Sequence, residues 1–390
     1  MVLCMRWLEF EVDRLRVRGL YRRLRLFGTG QLPRAVVDGR GVILLSSNNY
    51  LGLSEHPLVK KSAVGAVEVY GAGSGGSRLT TGTSELYASL EDALADFKRT
   101  ERSLVFSTGY MVNLACLTSL VGPADVIFSD EFNHASIVDG CRLSRAETRV
   151  YRHRDVEHLR SMLRDSHGSG RRLIVTDGVF SMDGDLAPLH EIVELGEEFD
   201  SRVMVDDAHA TGIFGTGRSG TPEHFGMHGR VDVHVGTLSK AIGSIGGYVA
   251  GSSVLIEYLV NTARSFIFTT ALPPAAVGAA LAAISVIQME DPAARLWKNV
   301  GDYTTLLRAG GLDVHCESQI IPIMVGGVED TCLFSDRLFE RGVYASAIRP
   351  PAVPGGGGRI RTSLMATHSS EDVHTAAGVI LEVAEECGLL

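Results

Sequence analysis

The sequence predicts an α/β protein: a large domain on a mostly parallel sheet, followed by a smaller C-terminal α+β domain. Three observations predict it. Short, fully apolar runs recur between Leu104 and Val249, with helical stretches between several of them. Continuous apolar strands separated by helices mark a sheet covered on both faces. Pro273-Pro274 then breaks the pattern, and a long helical stretch leads to new strands at Ile320–Val325 and Arg359–Ser363. At 390 residues the chain is long enough for two cores.

In chain order, the first thirty or so residues read as a helical arm. Arg14–Arg25 is a basic stretch whose apolar residues interleave as on a solvated amphipathic helix. Pro33 and Gly39 punctuate the chain before a strand at Val42–Leu45. The large-domain strands are expected at Leu104–Phe106, Val126–Phe128, Leu173–Thr176, Val203–Val205, Val231–Val235 and Tyr248–Ala250. Pro188–Phe199 is a helix between two of them. The expected domains are 1–45 (arm), 46–272 (large) and 273–390 (small).

Hydrophobic content of 45%, charged content of 21% and a net charge of −9 are those of a globular enzyme and argue against a general nucleic-acid binder. Six cysteines (Cys4, Cys116, Cys141, Cys316, Cys332, Cys387) lack paired spacing, so free thiols in a reducing cytoplasm are expected and no zinc set is. Charges at Arg6, Glu9, Glu11 and Asp13 come too early for a signal peptide, and Ala275–Ile287 is too short to span a bilayer.

The chain has five lysines. Lys60, Lys61, Lys98 and Lys298 sit among charged or polar neighbours and read as surface. Lys240 lies in a Ser- and Gly-rich turn between two apolar runs, where an ammonium is costly unless paired or neutralised. Such a lysine suits a Schiff base. Other polar groups also follow predicted strands: His134 after Val126–Phe128, Ser181 after Leu173–Thr176, and Asp206 with His209 after Val203–Val205. Ligands of open α/β sheets bind beyond the carboxyl ends of strands. A capping Asp and a loop His remain the plain alternatives for single members. Two carboxylates and a histidine also suggest metal ligands, but no His-x-x-x-His or second acidic cluster completes a set.

Together the residues suit pyridoxal phosphate. It requires a lysine amine, a carboxylate for the pyridine nitrogen, a flat ring against its face, and backbone amides of a helix N-terminus for the phosphate. Ser107-Thr-Gly-Tyr110 fits that last role. Gly71–Gly76 matches G-x-G-x-x-G, which would suggest a dinucleotide-dependent oxidoreductase. It follows a helical stretch rather than a strand, against the requirement of that fingerprint.

Seven stretches together resemble the α-oxoamine synthases, fold-type-I pyridoxal phosphate enzymes. They are Asn48–Leu53, Gly73–Arg78, His134–Ser136, Thr176–Asp185, Val205–His209, Thr237–Lys240 and Arg359–His368. The resemblance implies roles. Lys240 is the Schiff-base lysine and general base, and Asp206 the partner of the pyridinium nitrogen. His209 and Ser181 lie near the ring hydroxyl, and His134 stacks on the ring. Gly109, Tyr110 and Thr237 hold the phosphate, with Thr270 reaching that of a neighbouring subunit in a homodimer. Asn48 and Arg361 take the substrate carboxylate. The implied reaction is a decarboxylative condensation of an amino acid with an acyl thioester. The segment Ala347–Pro354 resembles that of the branch joining L-alanine to a pimeloyl thioester, carried on coenzyme A or acyl carrier protein. A glycine-using branch is the alternative. Arg349 and Arg22 are candidates for holding the acyl chain, and Arg349 equally for bracing a turn.

Overall fold

The computed structural model describes residues 5–166, 170–350, 352–353 and 356–390. Cys4, Pro351, Pro354 and Gly355, named in the sequence reading, lie outside them. The chain forms two compact units. The smaller comprises residues up to Ser47, Met182–Gly184 and Leu296–Leu390; the larger comprises Asn48–Ser181 and Asp185–Arg295.

In the smaller unit, β1 (Arg34–Val37) and β2 (Arg40–Leu44) form a hairpin. Asp38 and Gly39 form its two-residue turn, with φ of 48° and 79°, the left-handed pair such a turn requires. The sequence reading took Gly39 as punctuation and missed β1. It also expected about thirty helical residues at the start, whereas the helix spans Arg6–Val17 and Gly19 follows with φ 66°. Among the residues whose burial is described, Trp7–Val17, this helix buries none, so no core contact of theirs carries it further.

The larger unit holds β3 (Arg102–Phe106), β4 (Val126–Asp130), β5 (Glu147–Tyr151), β6 (Arg172–Asp177), β7 (Arg202–Asp206), β8 (Val233–Thr237) and β9 (Gly247–Gly251). They form one sheet in the order β3-β9-β8-β7-β6-β4-β5. The β5-β4-β6-β7-β8 run is parallel, and β9 is antiparallel to both its neighbours. Strand residues alternate between two cores. Leu173, Val175 and Met204 pack on one face with Val112 and Leu117 of the helix Gly109–Leu120. Ile174, Val203 and Val205 pack on the other with Leu189 and Ile192 of the helix Leu189–Glu198. Each such side chain contributes about 1.5–3 kcal/mol by leaving water. β5 escaped the sequence reading because it is an edge strand of polar composition in which only Tyr151 is buried.

Two further expectations differ from the structure. Lys98 is 2% exposed rather than on the surface, because the last turn of the helix Glu85–Lys98 points inward at Asp207. The helix Pro274–Glu290, placed by sequence at the start of the small domain, belongs to the larger unit. It is apolar almost all round and packs on the helices Pro57–Tyr70 and Glu85–Lys98.

The remaining strands belong to the smaller unit: β10 (Ile320–Gly326), β11 (Val343–Tyr344), β12 (Ser346–Ile348) and β13 (Gly358–Ser363). β11 extends the β1-β2 hairpin, and β10-β13-β12 is an antiparallel sheet. The C-terminal helix Ser370–Glu386 opens on a capping box between Ser369 and Asp372, and Asp372 also binds Arg34 at 2.6 Å.

Candidate active site

The parallel strands of the larger unit end together, and each end carries a polar side chain. β7 ends in Asp206, whose Oδ1 accepts the Ala208 N–H at 2.9 Å and whose Oδ2 accepts Asn113 Nδ2 at 2.7 Å. β6 ends in Asp177, which accepts the His134 N–H at 2.9 Å. Asn133, in the loop after β4, ties that loop to the end of β6, its Oδ1 accepting the Asp177 N–H and its Nδ2 donating to the Val175 carbonyl. β8 ends in Thr237, whose hydroxyl donates to the Gly246 carbonyl at 2.8 Å and lies 2.7 Å from that of Ser239. Lys240 follows in the turn and is half-buried.

Lys240 Nζ lies 2.9 Å from His209 Nε2, and His209 Nδ1 lies 2.7 Å from the Tyr50 hydroxyl. Tyr50 in turn donates to Asn48 Oδ1 at 2.9 Å. With the Tyr50 proton spent on Asn48, His209 Nδ1 is the donor to Tyr50, and Nε2 presents a lone pair to Lys240.

His134 caps the helix Ala135–Ser144 by accepting the Ser136 N–H at its Nδ1. That fixes the proton on Nε2 and leaves the ring neutral. Burial lowers its pKa and Lys240 lowers it further, with Asp206 opposing. Asp177 moves the other way: burial and then Asp206 push its carboxyl well above the usual carboxylate range.

The helix Gly109–Leu120 starts directly after β3, with Thr108 as its N-cap. Its first N–H groups have no intrahelical partners, which makes an anion site. The helix start approaches β9 so closely that a Cβ on Gly247 would sit 2.6 Å from the Gly109 backbone.

A cavity of about 230 Å³ gathers Gly109, Tyr110, His134, Ser181, Asp206, His209, Thr237 and Lys240. A larger cavity of about 700 Å³ opens at the opposite ends of the strands, against Arg171, Arg202, Leu255 and Tyr258. It contains none of the carboxylate, histidine and lysine set, so the smaller one is the candidate site. Thr270 is exposed outside it, its carbonyl accepting the Ser107 hydroxyl at 2.7 Å. Arg22, Arg349 and Arg361 belong to the smaller unit. There Arg361 is buried on β13, Arg22 is exposed, and Arg349 donates to the Tyr21 carbonyl at 2.8 Å, a turn-bracing contact. Among the described residues no group of three or more His, Cys, Asp or Glu is placed to hold a metal. Gly71–Gly76 is loop after the helix Pro57–Tyr70, without the strand a dinucleotide fingerprint needs.

The sequence reading gave no role to Tyr50, Asn113 or Asp177. A signal for Asn113 exists: it is the amide in the otherwise apolar run Met111–Leu117, and buried amides require partners.

The chain is similar over nearly its whole length to proteins of known name. The 8-amino-7-oxononanoate synthase of Geobacter metallireducens is 49% identical over 97% of this chain and 98% of its own length. Among solved structures, a serine palmitoyltransferase from S. paucimobilis with bound PLP-myriocin aldimine superimposes with a TM-score of 0.94. It is 34% identical and covers 98% of both chains. An 8-amino-7-oxononanoate synthase from Francisella tularensis gives 0.75 at 29% identity, over 88% of this chain and 98% of that one. The two-unit architecture is thus the fold-type-I transferase fold. A family model, aminotransferase class I and II, matches residues 40–380. The chain belongs to the aminotransferase class I and II family.

Proposed function

We propose that this chain is a pyridoxal phosphate-dependent acyltransferase that condenses L-alanine with a pimeloyl thioester, with loss of carbon dioxide, to give 8-amino-7-oxononanoate for biotin biosynthesis. The observation that carries the reading is near full-length identity of 44–49% to several 8-amino-7-oxononanoate synthases. Serine palmitoyltransferases share the fold at 34%, so the fold leaves the branch open and the sequence identity favours this one.

The donor set fits the cofactor. Asp206 is held by Asn113 Nδ2 and a backbone N–H, an acceptor-only carboxylate suited to a pyridinium N–H. Asn113 Oδ1 is buried with no hydrogen-bond partner among the described residues, an acceptor for a donor on a bound molecule. When bound, pyridoxal 5′-phosphate supplies the electron sink for the carbanion left at the amino acid's α-carbon. Everything else falls to the chain. Lys240 Nζ would hold the cofactor and, once the substrate's amine has displaced it, would take the α-proton. Its contact with His209 Nε2 orients the amine. His134 packs against the ring face, and its neutral state leaves Asp206 as the charge the nitrogen meets. Ser181 and His209 bind the ring hydroxyl. The N–H groups of Gly109 and Tyr110, with the Thr237 hydroxyl, bind the phosphate. Asn48 and Arg361 bind the substrate carboxylate, Arg361 through its bidentate fork. Arg349 and Arg22 flank the acyl chain.

Partners under this reading are L-alanine, pimeloyl-CoA or pimeloyl-acyl carrier protein, and a second copy of the chain, with Thr270 serving the neighbour's phosphate. Light scattering tests the dimer. Among the described residues no helix is long and apolar enough to cross a membrane, and we assign the enzyme to the cytoplasm. Thiol release from pimeloyl-CoA is the deciding assay. Rapid release with L-alanine and little with glycine is expected. Release only with glycine and acetyl-CoA moves the protein to the glycine branch.

A further inference from the structure

Asp207 follows Asp206 directly, yet the two carboxylates face different surroundings. Asp206 opens to the candidate site, while Asp207 turns into the interior and meets Lys98, each side chain being 1% exposed. Lys98 Nζ lies 2.9 Å from Asp207 Oδ2 and also donates to the Ser219 carbonyl. Asp207 Oδ1 accepts the Thr221 hydroxyl at 2.5 Å and its N–H at 3.2 Å. Two glycines make room for this carboxylate. A Cβ on Gly220 would sit 2.0 Å from Oδ2, and one on Gly178 would sit 2.6 Å from Oδ1. The ion pair is therefore built into the fold from four segments. Stability alone does not account for it, because apolar residues of similar volume generally do as well as a buried pair.

The groups facing Lys98 leave a one-to-one balance. Burial disfavours its charge, but Asp207 outweighs burial and the ammonium is held above its ordinary range. Tyr248 on β9 is pushed up by burial and stays neutral. His234 on β8 is held down to about 3, by burial and then by Lys98, and His228 is also lowered by burial. Asp177 shows the alternative. It lies at the neighbouring strand end with no cation among the described residues paired to it by a hydrogen bond, and burial, then Asp206, push its carboxyl well above the usual range although Lys240 opposes them.

We propose that Lys98 is a positioning residue of the cofactor site: its ammonium balances Asp207, so that Asp206 alone sets the charge presented to the cofactor's ring nitrogen. The inference rests on the reading of Asp206 given above. It predicts effects of opposite sign from the two halves of the pair. Removing Lys98 adds uncompensated negative charge behind Asp206, and removing Asp207 adds positive charge.

The test uses the holoenzyme and the pH midpoint of the bound cofactor's visible absorption. Lys98→Met should raise the midpoint by about half a pH unit, and Asp207→Asn should lower it by about as much, the size expected of one unbalanced charge at this range. The double variant should return close to the wild-type midpoint. A pair that matters only for packing moves the melting temperature and leaves the midpoint in place. Shifts of the same sign, no shift in either single variant, or a double variant no closer to wild type than the singles would overturn the proposal. If Lys98→Met does not fold, Asp207→Asn and the double variant still decide it by sign and restoration. Asp206→Ala tests the underlying reading separately: undiminished cofactor binding in that variant sinks the role of Asp206 whatever the pair does.

Discussion

Lys240 and Lys98 sit in the same unit and are held in opposite ways. Lys98 is closed in by a carboxylate, a carbonyl and the backbone at Gly220, where a Cβ would sit 3.0 Å from Nζ. Lys240 is half-buried at the rim of a cavity, against the lone pair of a neutral-acceptor imidazole nitrogen. The first arrangement fixes a charge, and the second holds an amine where it can lose a proton and react. The type of residue says little here; the partner and the free space beside it say most.

The largest effect should come from Lys240. Lys240→Ala is expected to lower turnover by roughly three orders of magnitude or more, since no other amine lies at that cavity to take its place. The melting temperature should barely move, because the side chain packs in no core. Initial rates and a thermal melt on the same preparation check both halves. A large loss of stability would erase the contrast with Lys98.

Lys98→Ala should do the reverse to stability. Breaking a buried pair from one side typically costs about 3–5 kcal/mol, because it strands the other charge. The double variant Lys98→Met with Asp207→Asn should recover most of that in a denaturant melt. If the single and double variants are equally unstable, packing rather than charge governs the site.

These two lysines also mark what the sequence could reveal. Lys240 was legible because its neighbours, a strand, a Ser/Gly turn and a second apolar run, are all local. So were Asp206 and His209, at the end of a recognisable strand, and His134, a short distance after another. Lys98 was misread because its local context is polar, Lys98-Arg-Thr-Glu-Arg102, and its partner is 109 residues away. Tyr50 was missed for the same reason: its bond to His209 spans 159 residues. β5 was missed because an edge strand buries too little to leave an apolar run. The boundary at Pro273 failed differently. A proline pair does start a helix there, but the helix is apolar all round and therefore goes to the larger core.

A third case is a histidine outside the lining of the cavity. His153 donates or accepts at both ring nitrogens, to Asp130 at 2.9 Å and Asp185 at 2.7 Å, and stacks on Phe132 with ring centroids 4.5 Å apart. Burial opposes its charge, but the two carboxylates win and raise it to about 9. A raised pKa adds stability in full below the unfolded value of about 6.5, and that stability is lost as pH rises toward 9. The contribution is on the order of 1 kcal/mol once solvent screening is allowed for. His153→Gln should therefore melt below wild type at pH 6, with the gap closing by pH 9.5. A gap that stays constant across that range means that His153 is not charged in the folded protein.

The smallest effect should come from an ion pair of the same chemistry in water. Arg14 binds Glu11 at 2.9 Å on the N-terminal helix, with side chains 53% and 49% exposed. Its distance equals that of Lys98 and Asp207, so distance cannot separate the two. Dielectric can. In water the attraction is screened, and holding two long side chains together costs entropy, so the net gain is close to nothing. Arg14→Ala should leave the melting temperature unchanged within the error of the measurement, and added salt should make no difference. A clear loss would mean that Arg14 is covered in the working enzyme. That would point to a second copy of the chain over this helix, where Trp7 and Phe10 are also exposed at 65% and 64%. The loss would then grow with dilution as copies separate, which a burial within one chain would not produce.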